Sequence, residues 1–383
     1  MTQSYDIIIF GGGIAGLYAA NRLQQAGYNL ILVEKDRLGT GQTLASQGMI
    51  HGGQKYVLHG SSTGPAESIA QMPARWDACF AGKGDIDLSN LKFLSNTQIM
   101  FPAGSFLSNV TAFAAAKAVN GKTQKLKKEQ IPAFLKRDTA YEMQEKVLDT
   151  KSLLATLAKN LKGRIVKGEA SEILPDGSVV VSGITLKAQM IIFTAGIGNE
   201  TALKLLQEKE QRTQRRPLRQ IMVKSLPYAL YGHGITSHPK PRVTITSHPL
   251  PDGQYIWYLG GNVSEDGVKM SETEALSHAK KEMKDVFPDI DWDSKEWASW
   301  YGERAEAFDA KGHLPPGPCV QQRGKVLITW PTKLTFVPAL SDKIIDQIVQ
   351  SGIKPSPVTP PPALPEAELG TYPWEEVAVW QRL

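Results

Sequence analysis

Cysteine is scarce in this chain of 383 residues: Cys79 and Cys319 are its only two. Two lone thiols do not make a disulfide framework, so a reducing, cytoplasmic setting is expected. No apolar run approaches the ~18 residues of a membrane span, so no transmembrane segment is expected, while peripheral contact with a membrane stays open. A secretory signal peptide is not expected either, because an apolar strand begins by about residue 5. No Lys/Arg block resembles a nucleic-acid arm. The densest basic stretches, 122–128 and 212–219, read as solvated surface, and no nucleic-acid partner is expected. Internal repeats are absent. What remains is ordinary for a globular protein: 42% apolar residues, 21% charged and a formal charge of +5. The length suggests two or three domains with a large core, and the mild positive field favours anionic small molecules.

The most informative stretch lies at the start. Asp6-Ile7-Ile8-Ile9-Phe10 runs into Gly11-Gly12-Gly13-Ile14-Ala15-Gly16, and the apolar run Leu30-Ile31-Leu32-Val33 then ends at Glu34. Strand, glycine turn, helix, strand and acid form the unit that binds a dinucleotide. Gly11 permits the tight turn, Gly13 lets the backbone approach a pyrophosphate, and Gly16 lets the helix pack close to the strand. The helix N-terminus offers N–H groups and a positive dipole end to the phosphates. Glu34, 23 positions beyond Gly11, can accept hydrogen bonds from ribose hydroxyls and would repel a 2′-phosphate, which disfavours NADP.

Beyond Glu34 comes a loop over 38–53 with five glycines (Gly39, Gly41, Gly48, Gly52 and Gly53), able to wrap an extended cofactor. Apolar spacing predicts helices over 65–81, 151–161 (capped by Asp149 or Thr150), 273–287 and 338–350. Strands are predicted over 97–101, 164–168, 178–181, 242–247, 255–260 and 325–329. A buried strand over 190–193 enters a second small-residue turn, Thr194-Ala195-Gly196, with Asn199 as cap of the next helix. Residues 218–308 suggest an antiparallel sheet. The tail from 354 carries seven prolines between 355 and 373 and reads as extended or loosely packed, with Trp374 and Trp380 docking parts of it.

Two dinucleotide-fold pieces separated by a β-rich insertion resemble the D-amino-acid oxidase and glycerol-3-phosphate dehydrogenase superfamily of FAD-dependent oxidoreductases. The segment Thr43-Leu44-Ala45-Ser46-Gln47-Gly48-Met49-Ile50-His51-Gly52-Gly53 is similar to the loop that carries the flavin there. Phe193-Thr194-Ala195-Gly196 resembles the second turn near the FAD, and Trp330-Pro331-Thr332-Lys333-Leu334-Thr335-Phe336 sits where the family closes over the flavin. In this last segment the family usually has glycines, whereas here Lys333 and Thr335 replace them. The resemblance implies an α/β fold: a Rossmann-like FAD-binding domain of glutathione-reductase-type topology (1–84, 141–212 and 320–353). It carries an inserted α+β substrate domain on an antiparallel sheet (85–140 and 213–319), before the tail, 354–383.

The same resemblance implies the FAD contacts. Gly11, Gly13, Ala15 and Gly16 would serve the pyrophosphate, Glu34 the ribose and Lys35 the adenine end, with Val166 as the adenine clasp. Thr43, Ser46, Gln47, Gly48 and Met49 would follow the cofactor toward the flavin, joined by Thr194, Ala195 and Gly196. Thr332, Lys333, Leu334 and Thr335 would face the flavin N1–O2 edge, where reduced flavin carries negative charge. Cys319 is poorly spaced for covalent attachment, so non-covalent FAD is expected.

Three residues are candidates for catalysis. His51, next to the flavin loop, suits binding of an anion or removal of a hydroxyl proton, its ordinary pKa lying near neutrality; it can equally tie the loop together. Arg304 shares a strand face with Trp300 and Gly302, and a guanidinium beside an aromatic suits a carboxylate. The alternative for Arg304 is a salt bridge to Glu303 or Glu306. Tyr258 joins them from a strand in which Trp257 faces the other way. The expected reaction is hydride transfer to flavin N5 from a small anionic amine, amino acid or 2-hydroxy acid, with oxygen or an electron carrier as final acceptor. An NAD-linked dehydrogenase, and an FAD-binding subunit or maturation factor acting only in a complex, stand as alternatives.

Overall fold

The computed structural model describes every residue except 1–2, 52–70, 105–122, 136, 175, 211, 237, 239 and 332. Its first sheet is built on the strand Gln3–Phe10, which buries Ile7, Ile8 and Ile9 on both faces, as a central parallel strand must. Leu30–Glu34 and Ile184–Phe193 pair with it in parallel on either side. Ile165–Lys167 and Val326–Trp330 extend the parallel core outward. Cys319–Arg323 closes one edge antiparallel, and Ser178–Val181 with Ala170–Ile173 forms an antiparallel extension of Ile184–Phe193. Helices Ile14–Gln25, Thr150–Asn160 and Val337–Gln350 cover one face through Leu17, Leu23, Leu154, Leu157, Leu340 and Ile344. The strand ends at Phe10, Glu34, Phe193 and Trp330 converge on one edge, where open α/β sheets bind their ligands.

Helix boundaries follow local chemistry. Asp149 caps Thr150–Asn160 by accepting from Ser152 N–H at 2.8 Å. Ser271 and Glu274 form a reciprocal capping box on Glu272–Val286. Asn199 behaves differently from the expected cap: its Oδ1 accepts from Ala195 N–H at 3.0 Å and its Nδ2 donates to Thr329 O at 2.9 Å. It is fully buried and fastens the second turn to the neighbouring strand. The expected helix over 65–81 is seen as Met72–Phe80, with its first part outside the described residues.

The second sheet runs Glu296–Ala307, Thr213–Leu226, Tyr255–Gly260, Val243–Pro249, Gly232–Ile235, Gln98–Pro102, Tyr141–Met143 and Thr123–Lys125. It is antiparallel except where Gly232–Ile235 meets Gln98–Pro102 in parallel. One face packs under Glu272–Val286 with Trp257, Leu276, Met283, Trp292 and Trp297. The other is shared between a cavity and the tail.

The tail is extended but not loose. Tyr5 donates to Pro360 O, Ser356 N–H to Asp6, Lys167 N–H to Pro365 O, and Tyr372 to Asp149. Trp374, Val377 and Trp380 then pack on the second sheet against Met222, Tyr258 and Ala298. His248 lies in this contact, its ring 4.0 Å from Trp374 and 5.2 Å from Tyr372 between centroids. Its Nε2 is buried without a hydrogen-bond partner among the described residues. Burial pushes its pKa down to about 3. The neutral ring is therefore favoured on folding, and the unfolded chain binds the extra proton between about pH 6.5 and 3. Stability is complete above that window and falls as pH drops through it. Urea unfolding of wild type is expected to lose about 2 kcal/mol from this ring between about pH 7.5 and 5; His248→Leu should remove that part of the slope. An unchanged slope would show that the ring is solvated.

Candidate active site

A cavity of about 850 Å³ opens at the converging strand ends, between the two sheets. It lies at the upper end of small-molecule sites in size. One end is walled by Glu34, Lys35, Asp36 and Gly168, Glu169, Ala170; the middle by Gly11, Gly13, Ala15, Thr43, Ala45 to Met49 and Thr194 to Gly198. The far end is walled by His51, Lys333 and Leu334 and, from the second sheet, Gln220, His233, Thr244, Trp300, Gly302 and Arg304.

The glycine turn is sterically required. At Gly11 (φ +108°) a Cβ would lie 2.8 Å from the backbone of Thr194 and Ala195. Glu34 is anchored at the turn, accepting from Gly12 N–H at 2.6 Å and Asp36 N–H at 2.9 Å. The Thr43 hydroxyl accepts from Ile14 N–H at 3.1 Å, which draws the long loop over the start of the first helix. Leu148 N–H donates to Gly48 O at 2.9 Å, Met49 bridges to Val147, and His51 N–H meets the Thr335 hydroxyl at 3.5 Å. Tyr258 donates to Ala45 O at 2.9 Å, and Gln47 accepts from the Thr246 hydroxyl at 3.0 Å, so the second sheet also grips this loop.

Arg304 stands on the cavity wall with Trp300, whose ring lies so close over Gly302 that a Cβ there would be 1.9 Å from it. The carboxylates nearest in sequence are taken by other cations. Glu303 pairs with Arg215 at 2.7 Å and Glu306 with Arg216 at 3.1 Å. Arg304 has no carboxylate salt bridge among the described residues; its Nε makes a long contact, 3.5 Å, with Arg216 O. Burial lowers its pKa, with Glu265 and Glu306 acting in the opposite sense, and the guanidinium remains charged. Arg215 also holds Glu200 at 2.7 and 2.6 Å, so an ionic link from the first sheet's second turn reaches the second sheet at the cavity wall.

Most residues expected at the site line the cavity: Gly11, Gly13, Ala15, Glu34, Lys35, Thr43, Ser46, Gln47, Gly48, Met49, His51, Thr194, Ala195, Gly196, Arg304, Lys333 and Leu334. Four stand elsewhere. Gly16 packs the helix on Gly11 O rather than facing the cavity. Val166 is buried inside its strand, and the wall there is formed by Gly168 to Ala170. Thr335 is fully buried, its backbone O accepting from Trp76 Nε1. Tyr258 is fully buried with its hydroxyl on Ala45, and burial drives its pKa well up, so its position corrects the expectation of a catalytic tyrosine. Thr332, Gly52 and Gly53 lie outside the described residues. Cys319 pairs with Trp330 in the edge strand and is not among the wall residues. Sequence reasoning missed Gln42, Glu200, Arg215, Gln220, His233 and Thr244. The Gly260-Gly261 pair, both residues of which line the cavity, was the available hint of close packing there.

An acid-tipped second strand, a glycine turn where no side chain fits, an elongated cavity and a second sheet roofing its far end define an oxidoreductase of the dinucleotide-binding flavoprotein class. The chain belongs to the DAO family of FAD-dependent oxidoreductases, which it matches over residues 6–329, and FAD is its cofactor. It is 39% identical over 382 residues to "Probable FAD-dependent oxidoreductase PA4991" of Pseudomonas aeruginosa, covering 97% of this chain and 98% of that one. The crystal structure of that protein has a TM-score of 0.85 to this one at 35% identity, covering 98% of each. The fold alone is shared with glycine oxidase from Geobacillus kaustophilus (TM-score 0.66, 17% identity, 91% of this chain and 95% of that one). The same holds for dithionite-reduced L-alpha-glycerophosphate oxidase from Mycoplasma pneumoniae with FAD bound (TM-score 0.66, 17% identity, 97% and 100%). No helix among the described residues is long and apolar enough to cross a membrane.

Proposed function

We propose that the enzyme oxidises a small anionic amine, amino acid or 2-hydroxy acid, held through its anion by Arg304. The observation that carries this reading is a half-buried guanidinium on the cavity wall whose neighbouring carboxylates, Glu303 and Glu306, are engaged by Arg215 and Arg216. A charge so placed favours an anion with two acceptor oxygens. The names of the glycine oxidase and the L-alpha-glycerophosphate oxidase that share the fold, one a carboxylate compound and the other a phosphate, support the same class.

When bound, FAD supplies the acceptor for the substrate's hydride. Gly11, Gly13 and Ala15 would hold its diphosphate, Glu34 its ribose, and Lys35 with Gly168 to Ala170 its adenine end. Thr43, Ser46 to Met49, Thr194 to Gly196, Lys333 and Leu334 would hold the rest, non-covalently. Trp300 and Gly302 shape the floor beside Arg304, and His51 is the group we assign to take the substrate's proton. Orientation of the anion at a fixed distance from the cofactor supplies much of the rate.

The purified protein is expected to be yellow, with absorption near ~375 and ~450 nm. Anaerobic mixing with single amino acids, 2-hydroxy acids and glycerol 3-phosphate should bleach the ~450 nm band with one class of these compounds. Bleaching by none of them, with FAD fully bound, would overturn the substrate reading.

A further inference from the structure

Five residues of the second sheet stand in one line across it. Gln220 pairs with Trp300, and Thr244 pairs with both Gly260 and His233. The Ile221 and Leu259 pair sets Gln220 beside Gly260. Directly opposed residues on neighbouring strands share a face, and all five line the cavity. The line leads away from Arg304, which lies four residues beyond Trp300 on the edge strand. Trp300 and Thr244 are three strand spacings apart, about 14 Å at the usual ~4.8 Å. A two-carbon acid held at Arg304 does not reach that far.

The distant end of the line is built for hydrogen bonding. His233 is 3% exposed. Its Nε2 lies 3.0 Å from Gln98 Oε1 and its Nδ1 2.9 Å from Thr244 Oγ1. A carboxamide oxygen only accepts, so in the neutral ring Nε2 carries the proton and Nδ1 accepts. The Thr244 hydroxyl then donates to Nδ1, which leaves its oxygen free to accept, and Thr244 is a wall residue of the cavity. Gln98 is itself fully buried, and its Nε2 has no partner among the described residues. An unsatisfied amide nitrogen is retained at a cost. Here Gln98 orients the ring that orients Thr244.

We propose that this row is a subsite for the distal end of the substrate, where Thr244 accepts a hydrogen bond from a hydroxyl or ammonium group. The substrate is then an extended anion with a hydrogen-bond donor at its far end, not a glycine-sized acid. This rests on the reading of Arg304 as anion anchor. Gln98 and His233 are positioning residues, and Thr244 is the contact.

The holoenzyme would be titrated with hexanoate, 6-hydroxyhexanoate and 6-aminohexanoate, following the flavin absorbance and the thermal midpoint. At least one donor-bearing chain is expected to bind about tenfold more tightly than hexanoate, and the better of the two identifies the donor as hydroxyl or ammonium. Thr244→Val should bring that preference to within about twofold while leaving FAD content and hexanoate affinity unchanged. Thr244→Ser should keep the preference. Equal binding of all three acids, no binding of any, or a preference that survives Thr244→Val would overturn the subsite. Arg304→Ala tests the other reading separately: if it leaves hexanoate affinity unchanged, the anchor fails, whereas loss of all three acids with an unaltered Thr244→Val variant removes the distal subsite alone.

Discussion

Arg304→Ala is expected to weaken the substrate found by bleaching about 100- to 1000-fold in Kd or kcat/KM, with FAD content unchanged. The magnitude follows from truncating one partner of a desolvated charge pair, which typically costs ~2–5 kcal/mol. Its placement makes the large value appropriate. The guanidinium is buried enough to be held below its ordinary pKa, so water screens it poorly. Arg215 and Arg216 cannot substitute for the missing cation, being engaged by Glu200, Glu303 and Glu306. Arg304→Lys should recover only part of the loss, about tenfold weaker than wild type, because an ammonium keeps the charge but not the two-pronged geometry. The flavin spectrum of each variant separates this from cofactor loss. Substrate affinity unchanged in Arg304→Ala, with bound FAD, would mean that the anion is held elsewhere.

That prediction depends on a register that the sequence does not display locally. Glu303 and Glu306 are the nearest acids along the chain and the natural candidates to neutralise Arg304. They are removed from it because Thr213–Leu226 lies antiparallel against Glu296–Ala307, setting Arg215 and Arg216 opposite this stretch. The same limit explains the missed row. Trp300, Gln220, Gly260, Thr244 and His233 come from five strands and meet only through pairing. By contrast, the opening unit was legible because its signals are local: a buried apolar run, glycines where a Cβ cannot fit, and an acid at the next strand's end. Val166 marks the boundary between the two cases. Its strand was read correctly, but the chain presents the cavity with the residues after the strand, from Gly168 on. Nothing local to Tyr258 shows that its hydroxyl grips Ala45, in a loop more than two hundred residues away. Asn199 was assigned the commonest local role of asparagine before a helix, while its amide spans to Thr329 instead.

Gly16→Val is expected to cost the protein its FAD. A Cβ at this position would lie 2.0 Å from Gly11 O and 2.6 Å from the Thr194 hydroxyl. The first neighbour is backbone of the phosphate turn. The second is a hydroxyl within 3.0 Å of both Phe10 O and Gly11 O, so neither can yield without moving the strand ends. Relief requires the helix Ile14–Gln25 to lift from the sheet, which separates its N-terminus from the turn and opens the core around Leu17, Ala20 and Leu23. Overpacking of this kind costs about 1–3 kcal/mol, more where backbone is struck. FAD affinity should fall at least about 100-fold, since the helix end and the turn must act together on the diphosphate. Gly13→Ala provides the graded comparison: its backbone is extended and its Cβ would meet only the Thr43 hydroxyl, at 3.2 Å. That variant should fold with near-native stability in the apo form and still bind FAD less tightly, because the methyl group crowds the approach to the diphosphate. The ratio of absorbance near ~450 nm to that of the protein, with thermal unfolding of the apo forms, reads both effects. A Gly16→Val protein that purifies as yellow as wild type would show that the diphosphate does not lie against this turn.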